Sequence, residues 1–305
     1  MNLPPEFVQN IEGVHGEAGR RFLADLPTLI DEASEKWQLT DVQAAPTLSY
    51  NFVAFARRSD EQVVLKMSVP NREFKSEMAA LRLFNGEGAC ALLDCDEERY
   101  WMLLERLSPG AMLVTLEDDE NATHLATEVM QKIWRPVEEG SRLPGAFLQL
   151  SDWFDGLKEL RPVFKGTTGP LNEKLVERVE SSVKDFFAEN HKPVLMHGDF
   201  HHFNILSSER GWLVIDPKGV IGPACYEAGP FLINPWGNLL TGSDYRGMTR
   251  RRIDILYEHL GFERERIREW GLAHAVLSAW WSIQDHGDWR YAAGFAEMIA
   301  GLALK

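Results

Sequence analysis

The feature that most constrains the fold of this chain is a short stretch of strand and loop, residues 194–217, between long helical segments. Its sequence is VLMHGDFHHFNILSSERGWLVIDP. A turn at Glu209–Gly211 leads into the apolar run Trp212–Ile215, which predicts a buried strand that ends at Asp216. The second half of the chain must therefore accommodate buried strand structure among its helices.

The segments before this stretch predict a smaller, β-rich region. Residues 17–39 carry apolar side chains at helical spacing, and after Ala45 the pattern changes to short runs of β-branched and aromatic residues. Two strands, a helix and a further strand pair are predicted in LSYNFVAFA, EQVVLKMSV, REFKSEMAALRLF, and LLDCDEE with ERYWMLLERL.

A turn cluster at Ser108, Pro109 and Gly110 suits a hinge between two lobes. Beyond it, helices are predicted at residues 118–139, 147–160, 171–190, 249–260 and 264–286. The order of elements predicts an α+β fold with a β-rich N-terminal lobe at residues 1–107, including the helical prelude. A larger, mainly helical C-terminal lobe is predicted at residues 108–305.

The amino-acid composition limits the kinds of partner that the protein is expected to bind. The 32 basic and 46 acidic side chains of the 305 residues give a net charge of −14, which disfavours nucleic acid and favours a cationic small molecule. No apolar run is long enough to span a bilayer, so no membrane partner is expected and the cytoplasm is the predicted compartment. The odd set of three cysteines lacks Cys-x-x-Cys spacing and predicts neither disulfides nor a cysteine zinc site. The oligomeric state is left open.

Three oxygen-bearing side chains in residues 194–217 have the spacing that phosphoryl transfer requires. Asp199 is followed five positions later by Asn204, and Asp216 comes twelve residues after that. A carboxylate must accept the proton of the acceptor hydroxyl, while an amide oxygen and a second carboxylate hold Mg²⁺ against the phosphates. The spacing and the strand context predict a kinase-type centre made of these three residues.

The first lobe provides an independent test of this hypothesis. Lys66 lies within an apolar strand, and Glu77 falls on the core-facing stripe of the next helix. A carboxylate on such a stripe is costly to bury unless it is paired, and Lys66 is the expected partner. The pair predicts a lysine that holds nucleotide phosphates and a glutamate that holds the lysine.

Two alternatives remain at this point. The His-x-Asp-x-His-His run that starts at His197 resembles the ligand set of a metal-dependent hydrolase, although histidines of this kind more often hold a loop by hydrogen bonds. A pseudokinase that binds nucleotide without turnover is the other alternative. Glycine-rich GEGACA at residues 86–91 follows a helix rather than a strand, and no P-loop motif is present, so neither dinucleotide nor P-loop binding is predicted.

The segments HGDFHHFNIL and IDPKG resemble those of the aminoglycoside and hydroxyurea antibiotic resistance kinases, and the likeness extends over most of the chain. This resemblance implies a protein-kinase-like two-lobed fold, ATP as phosphoryl donor, Mg²⁺, and a hydroxyl acceptor such as an aminoglycoside. It implies that Asp199 is the catalytic base and that Asn204 and Asp216 are the metal ligands. Lys66 with Glu77 would position the phosphates. One departure is Pro223, where such proteins usually carry an acidic residue; Glu227 is retained.

The kinase hypothesis also assigns further residues. The adenine is expected against the backbone of Glu105 to Leu107, and Ser49 and Asn51 are expected to cover the phosphates. Lys218 is expected to neutralise charge on the γ-phosphate in the transition state. Carboxylates and an aromatic face suited to a cationic acceptor are predicted at Asp285, Asp288, Trp281 and Asp152.

Overall fold

A computed structural model of the protein describes residues 3–137, 147–189, 192–235, 244–285 and 287–304. The helices are α1 (Pro5–Trp37), α2 (Arg72–Phe84), α3 (Asp119–Ile133), α4 (Leu150–Asp155), α5 (Leu160–Val163), α6 (Glu173–Ala188), α7 (Ala228–Ile233), α8 (Tyr245–Leu260), α9 (Arg264–Gln284) and α10 (Arg290–Ala300). The strands are β1 (Leu39–Ala44), β2 (Phe52–Arg58), β3 (Glu61–Met67), β4 (Leu92–Asp96), β5 (Trp101–Glu105), β6 (Pro109–Met112), β7 (Arg135–Pro136), β8 (Leu148–Gln149), β9 (Val194–Met196), β10 (Ile205–Ser208), β11 (Gly211–Val214) and β12 (Val220–Gly222). Short 3₁₀ turns lie at Leu113–Thr115, Gly156–Glu159 and Ala224–Glu227.

The first lobe is an antiparallel sheet with the strand order β1-β2-β3-β5-β4. Strand β3 lies at its centre, with Phe52 of β2 opposite Met67 and with Lys66 opposite Met102 of β5. One face of the sheet packs against α1, in a hydrophobic cluster that includes Phe7. The two predicted strand pairs are therefore confirmed as β2–β3 and β4–β5, with alternate side chains buried along β2 and nearly all side chains buried along β5.

Helix α1 differs from the predicted helical prelude. It begins at Pro5 rather than at residue 17, and it bends sharply at Gly16, where φ is 54° and ψ is −126°. This backbone region is open essentially to glycine alone. The bend folds the first part of the helix back, so that Gly19 meets the carbonyl oxygen of Ile11. Strand β1, which follows α1, was not predicted.

Helix α2 joins the two lobes through its packing. The Asn71 side chain accepts a hydrogen bond from Phe74 N (2.8 Å) and so caps the N-terminus of the helix. The predicted apolar stripe is buried, but Phe74, Met78 and Phe84 belong to the same hydrophobic cluster as the core of the second lobe. Moving α2 therefore disturbs both lobes.

The second lobe surrounds two small sheets, of order β11-β10-β6 and β7-β9-β12-β8, with helices. Helix α9 lies in its core, where Trp270 and Trp280 are buried. Helix α3 ends earlier than predicted because Arg135–Pro136 form β7, and the predicted helix at residues 147–160 is broken into β8, α4 and a 3₁₀ turn. Helices α7 and α10 were not predicted. Strands dominate the first lobe and helices the second, which confirms the α+β class.

The chain passes between the lobes just after β5. Strand β6, which begins at Pro109, pairs with β10 of the second lobe. Arg210, at the turn after β10, donates to the Glu105 carboxylate (2.5 Å) and to Gly86 O (2.6 Å), and so ties this crossing to the first lobe. Within the described residues, no helix is long and apolar enough to cross a membrane.

Candidate active site

The loop His197–Asn204, called the Asp199 loop below, connects β9 to β10. Gly198 adopts φ +87°, and a Cβ at this position would collide with Val220. The Asn204 side chain donates from Nδ2 to Asp199 O (3.0 Å), which closes the loop and turns the amide oxygen of Asn204 away from it. Asn204 O accepts from Ile215 N (2.9 Å), so the loop is fastened to the end of β11.

His197 holds this loop from inside the protein. Asp199 N donates to His197 Nδ1 (3.1 Å), so the ring proton of the neutral imidazole must lie on Nε2, which faces Ile215 O at 2.8 Å. Burial lowers the pKa of His197 to about 4. His197 is therefore a neutral structural residue. This agrees with the expectation that a histidine of this kind holds a loop by hydrogen bonds.

Glu227 also holds the Asp199 loop, through two backbone N–H groups. Its carboxylate accepts from His197 N (3.1 Å) and from Gly198 N (2.8 Å), and the side chain is completely buried. Burial raises the pKa of Glu227 to about 8, although both N–H groups favour the carboxylate. Two backbone donors next to Asp199 thus depend on one side chain from the turn before α7.

Asp199 itself faces solvent, with 41% of its side chain exposed. Burial opposes its ionisation, but the charges of His201 and Lys218 outweigh it and hold the pKa of Asp199 below its ordinary value. His201 Nε2 lies 3.6 Å from the Asp199 carboxylate. The side chain is therefore a carboxylate at neutral pH, within reach of a ligand in the cleft.

Lys66, Glu77 and Asp216 form a chain of charges across the lobes, in which Lys66 and Glu77 are buried. Lys66 Nζ donates to Glu77 Oε1 (2.6 Å) and to Asp216 Oδ1 (3.0 Å), and Lys66 is only 2% exposed. Burial opposes the charge on Lys66, but Asp216 and Glu77 more than compensate and raise its pKa. The predicted Lys66–Glu77 pair is present. Asp216 is the third residue of this chain of charges. Its backbone has φ 57°, and 48% of its side chain is exposed.

A second ion pair runs beside this chain of charges. Lys218 Nζ donates to Glu73 Oε2 (2.9 Å), in the first turn of α2. Lys218 N donates to His197 O (2.7 Å), and Gly219 O accepts from Ser76 Oγ (2.7 Å). The segment that carries Asp216 and Lys218 is thus attached both to the Asp199 loop and to α2. Glu73 and Ser76 were not singled out from the sequence.

The residues predicted to hold the nucleotide lie at two places, the crossing after β5 and the connection before β2. Glu105 ends β5, with its side chain bound to Arg210 and to Ala91 N (2.9 Å), and Leu107 is buried at the crossing between the lobes. Ser49 and Asn51 lie in the connection from β1 to β2. Asn10 of α1 donates to Ser49 O (3.3 Å), which ties this connection to the first part of the helix.

Of the residues predicted for the acceptor, Trp281 lies near the Asp199 loop. Its ring meets Trp153 edge-on at 5.4 Å between centroids, and Trp153 lies 3.2 Å from the place of a Cβ on Gly198. Sequence reasoning missed Trp153 and His274, whose ring lies 6.3 Å from Trp281. His274 sits in an apolar run and Trp153 stands next to Phe154, so nothing local separates these residues from core residues.

The predicted acceptor carboxylates are more dispersed. Asp285 is exposed just beyond α9, and Asp288 is exposed and bound to Arg290 N (3.0 Å). Asp152 is exposed next to Trp153 and lies 3.9 Å from Arg72. No contact in the described part of the chain links these three carboxylates to Asp199.

The metal-hydrolase alternative does not fit this geometry. Both ring nitrogens of His197 are engaged by the backbone, and His202 is stacked on Phe231 (4.4 Å) with Nε2 facing Arg252 (3.2 Å). Within the described residues, no group of three or more His, Cys, Asp or Glu side chains is arranged to hold a metal ion. The His-x-Asp-x-His-His run therefore builds a loop rather than a metal centre of its own.

A β-rich first lobe and a mainly helical second lobe are the architecture of a protein-kinase-like fold. Solved structures agree: the chain superposes on the aminoglycoside phosphotransferase APH(4)-Ia with a TM-score of 0.64 at 16% identity, covering 92% of this chain and 100% of that one. It superposes on the choline kinase LicA from Streptococcus pneumoniae with a TM-score of 0.61 at 15% identity, covering 90% and 97%.

The sequence comparisons are more specific. The chain is 30% identical to a streptomycin 6-kinase of Streptomyces glaucescens, over 93% of this chain and 92% of the relative. It is also 30% identical to a hydroxyurea phosphotransferase of Kitasatospora aureofaciens, over 93% and 81%. A family model described as aminoglycoside/hydroxyurea antibiotic resistance kinase matches residues 36–286. The protein belongs to this family and is a phosphotransferase.

Proposed function

We propose that this protein transfers the γ-phosphoryl group of ATP to a hydroxyl group of a cationic small molecule of the aminoglycoside class. The observation that carries the proposal is that the loop of Asp199 and Asn204 is bonded through Asn204 O to Ile215, next to Asp216, while Asp216 also contacts the Lys66–Glu77 pair. We assign the nucleotide to the lobe of residues 1–107 and the acceptor to the lobe of residues 108–305. Because ATP is an intracellular metabolite, we place the reaction in the cytoplasm.

Asp199 is the proposed base. Its exposed carboxylate accepts the proton of the acceptor hydroxyl as the oxygen bonds to the γ-phosphorus, and the bond from that phosphorus to the bridging oxygen of ADP breaks. Lys66 holds the phosphates of ATP, and Glu77 keeps Lys66 in place. Lys218 neutralises the negative charge on the transferring group.

The residues around the cleft fit a magnesium ion. Asn204 has an amide oxygen turned away from its own hydrogen bond, and Asp216 offers a half-exposed carboxylate of which Lys66 contacts one oxygen. Hard oxygen donors of this kind suit Mg²⁺, which would neutralise the phosphate charge that develops during transfer. We propose Asn204 and Asp216 as its ligands.

The nucleotide and acceptor subsites complete the proposal. The backbone of Glu105 to Leu107 receives the adenine, and the connection that carries Ser49 and Asn51 covers the phosphates. The net charge of −14 and the names of the relatives support a cationic acceptor. We place that acceptor against Trp281.

The proposed carboxylates around the acceptor are Asp152, Asp285 and Asp288. Each is exposed on the second lobe, and an exposed carboxylate can meet an ammonium or guanidinium group without prior burial. The contribution of these carboxylates to acceptor binding can be tested separately from the chemistry at Asp199.

The test is a phosphorylation screen of the purified protein with ATP and Mg²⁺. Streptomycin, other aminocyclitol antibiotics, hydroxyurea and neutral sugars serve as acceptors. Transfer to a cationic aminocyclitol supports the proposal, and transfer only to neutral or anionic compounds contradicts the acceptor class. Asp285→Asn and Asp288→Asn should raise KM for a cationic acceptor, and unchanged KM in both would remove these carboxylates from the site.

Two substitutions separate the proposed roles. Asp199→Ala should abolish turnover but keep nucleotide affinity, because the base does not hold phosphates. Asp216→Ala should also lose the Mg²⁺-dependent part of nucleotide binding, measured by calorimetry with and without Mg²⁺. Equal Mg²⁺-dependent affinity in wild type and Asp216→Ala would contradict the metal assignment.

A further inference from the structure

Two lysines flank Asp216, and α2 holds both of them. Glu77 pairs with Lys66, and Glu73, one helical turn earlier, pairs with Lys218. Residues four apart lie on the same face of a helix, so α2 presents two carboxylates in a row to the cleft. The first of these pairs is buried and belongs to the phosphate site described above.

The second pair contributes little to stability. The Lys218 and Glu73 side chains are 38% and 59% exposed, and water screens exposed pairs of this kind. It nevertheless crosses from α2 to the segment after β11, beside the proposed site of phosphoryl transfer. Its position, rather than its strength, is what distinguishes it.

The main chain of Lys218 is held by hydrogen bonds, and its side chain is held by the ion pair with Glu73. Lys218 N is bound to His197 O (2.7 Å), and Gly219 is held against Ser76. From this fixed base, the four-carbon side chain lies among several carboxylates. It is bound to Glu73, and its charge also acts on Asp199, Asp216 and Glu77. Two of these choices, Glu73 and Asp199, bear directly on the proposed reaction.

These two choices have opposite consequences for the reaction. An ammonium bound to Glu73 lies at the edge of the cleft, between α2 and the Asp199 loop. An ammonium bound to Asp199 would occupy the carboxylate that must accept a proton, and would leave the charge on the transferring phosphoryl group without its counter-charge.

We propose that Glu73 is a positioning residue, which keeps the Lys218 ammonium off Asp199 and directs it to the transferring phosphoryl group. This inference rests on the proposed function, since it assumes that Asp199 is the base and that the γ-phosphoryl group passes between Asp199 and Lys66. Helix α2 then places both lysines at once, Lys66 through Glu77 and Lys218 through Glu73.

The key variant is Glu73→Gln, which keeps size and removes charge. Its matched control is Glu97→Gln, because Glu97 is also 59% exposed and also forms an ion pair that involves α2, here with Arg82 (2.6 Å). Glu73→Gln should lower kcat about tenfold, as expected for a misplaced catalytic group, with KM for ATP changed by less than about twofold. Glu97→Gln should leave kcat unchanged.

A double-mutant cycle with Lys218→Met separates positioning from a general effect on α2. If Glu73 acts only through Lys218, Glu73→Gln has no further effect on kcat in the Lys218→Met background. Any loss of helix stability from removing the first-turn charge is common to both backgrounds and cancels. Glu73→Asp, which keeps the charge, should retain a higher kcat than Glu73→Gln.

A binding measurement tests the same inference without an acceptor. Aluminium fluoride with ADP and Mg²⁺ mimics the transferring phosphoryl group, so its affinity depends on Lys218 and that of ADP alone does not. Glu73→Gln should weaken the mimic about tenfold and leave ADP affinity unchanged.

The outcomes distinguish the two proposals. Equal kcat and equal mimic affinity in Glu73→Gln and Glu97→Gln, or additive losses in the cycle, would overturn the role of Glu73 while wild-type turnover stands. A wild type that transfers phosphate to no acceptor would overturn the proposed function, and the affinity for the mimic would still decide on Glu73.

Discussion

The buried imidazole of His197 makes a quantitative prediction about acid stability. Its neutral form accepts from Asp199 N and donates to Ile215 O, whereas a protonated ring would direct Nδ1–H at the Asp199 N–H. The native pKa of about 4 lies below the ordinary value of 6.5. As pH falls, the unfolded chain therefore takes up a proton at His197 before the native protein does. The contribution of His197 to stability is present above pH 6.5 and is lost as pH falls through 4.

The perturbation is His197→Asn, whose side-chain oxygen can still accept from Asp199 N. Linkage predicts that between pH 7 and pH 5 the wild type loses about 2 kcal/mol more free energy of unfolding than the variant, because only the wild type carries this proton. At pH 7 the variant should be about 2–4 kcal/mol less stable, since the ring is fully buried and Ile215 O loses its donor.

The assay is urea unfolding of both proteins at pH 7, 6 and 5, followed by fluorescence. The other buried histidines titrate in both proteins, so the difference between the two curves isolates His197. A difference in free energy of unfolding that stays constant from pH 7 to pH 5 would refute the assignment of a neutral, hydrogen-bonded ring. An NMR spectrum of the ring nitrogens should show the Nε2–H tautomer across this range.

Three further predictions concern two glycines, each with a matched control, and one buried glutamate. Gly219 has φ +67°, and a Cβ there would lie 2.7 Å from a backbone oxygen of α2, so Gly219→Ala should lower Tm and kcat. Its control, Gly211→Ala, places the Cβ in open space and should cost only about 1 kcal/mol of backbone strain. Equal losses in the two variants would contradict the close packing at Gly219. Glu227→Ala should lose about 3 kcal/mol in urea unfolding because two buried N–H groups lose their acceptor, and a loss below about 1 kcal/mol would argue against this role. Gly16→Ala should lower Tm, because the backbone at the bend in α1 is open essentially to glycine alone. Gly13→Ala should raise Tm, because alanine has the higher helix propensity and its Cβ meets no neighbour. Shifts of the same sign would disprove the bend.

The sequence predicted the centre of the site because its residues lie within short, regular segments. Asp199 and Asn204 share one loop, and Asp216 ends the strand that returns beside it, so their spacing along the chain reflects their spacing in the fold. Lys66 was predicted from its place within an apolar strand, and Glu77 from the buried stripe of α2. The structure joins Lys66, Glu77 and Asp216 directly and bonds the loop of Asp199 and Asn204 to Ile215 beside them, and the catalytic roles of these residues stay predictions.

The parts that the sequence missed depend on contacts between distant segments. Glu73 is an ordinary first-turn glutamate until β11 brings Lys218 to it across 145 residues. Strand β1 has few buried side chains, and its pairing with β2 carries a shift in register, so no clean alternation marks it. Helix α7 is too short and too uniformly buried to show an amphipathic stripe.

The left-handed backbone of Asp216 restricts which residues this position can accept. Aspartate and asparagine tolerate positive φ because their short side chains bond locally, while glutamate gains no such help and would also carry its carboxylate one methylene further into the cleft. The repertoire of this position is therefore short, and asparagine is the replacement that removes the charge while leaving the chain in the same conformation. The choice between the two acidic amino acids at the end of β11 is made by backbone geometry before any ligand arrives.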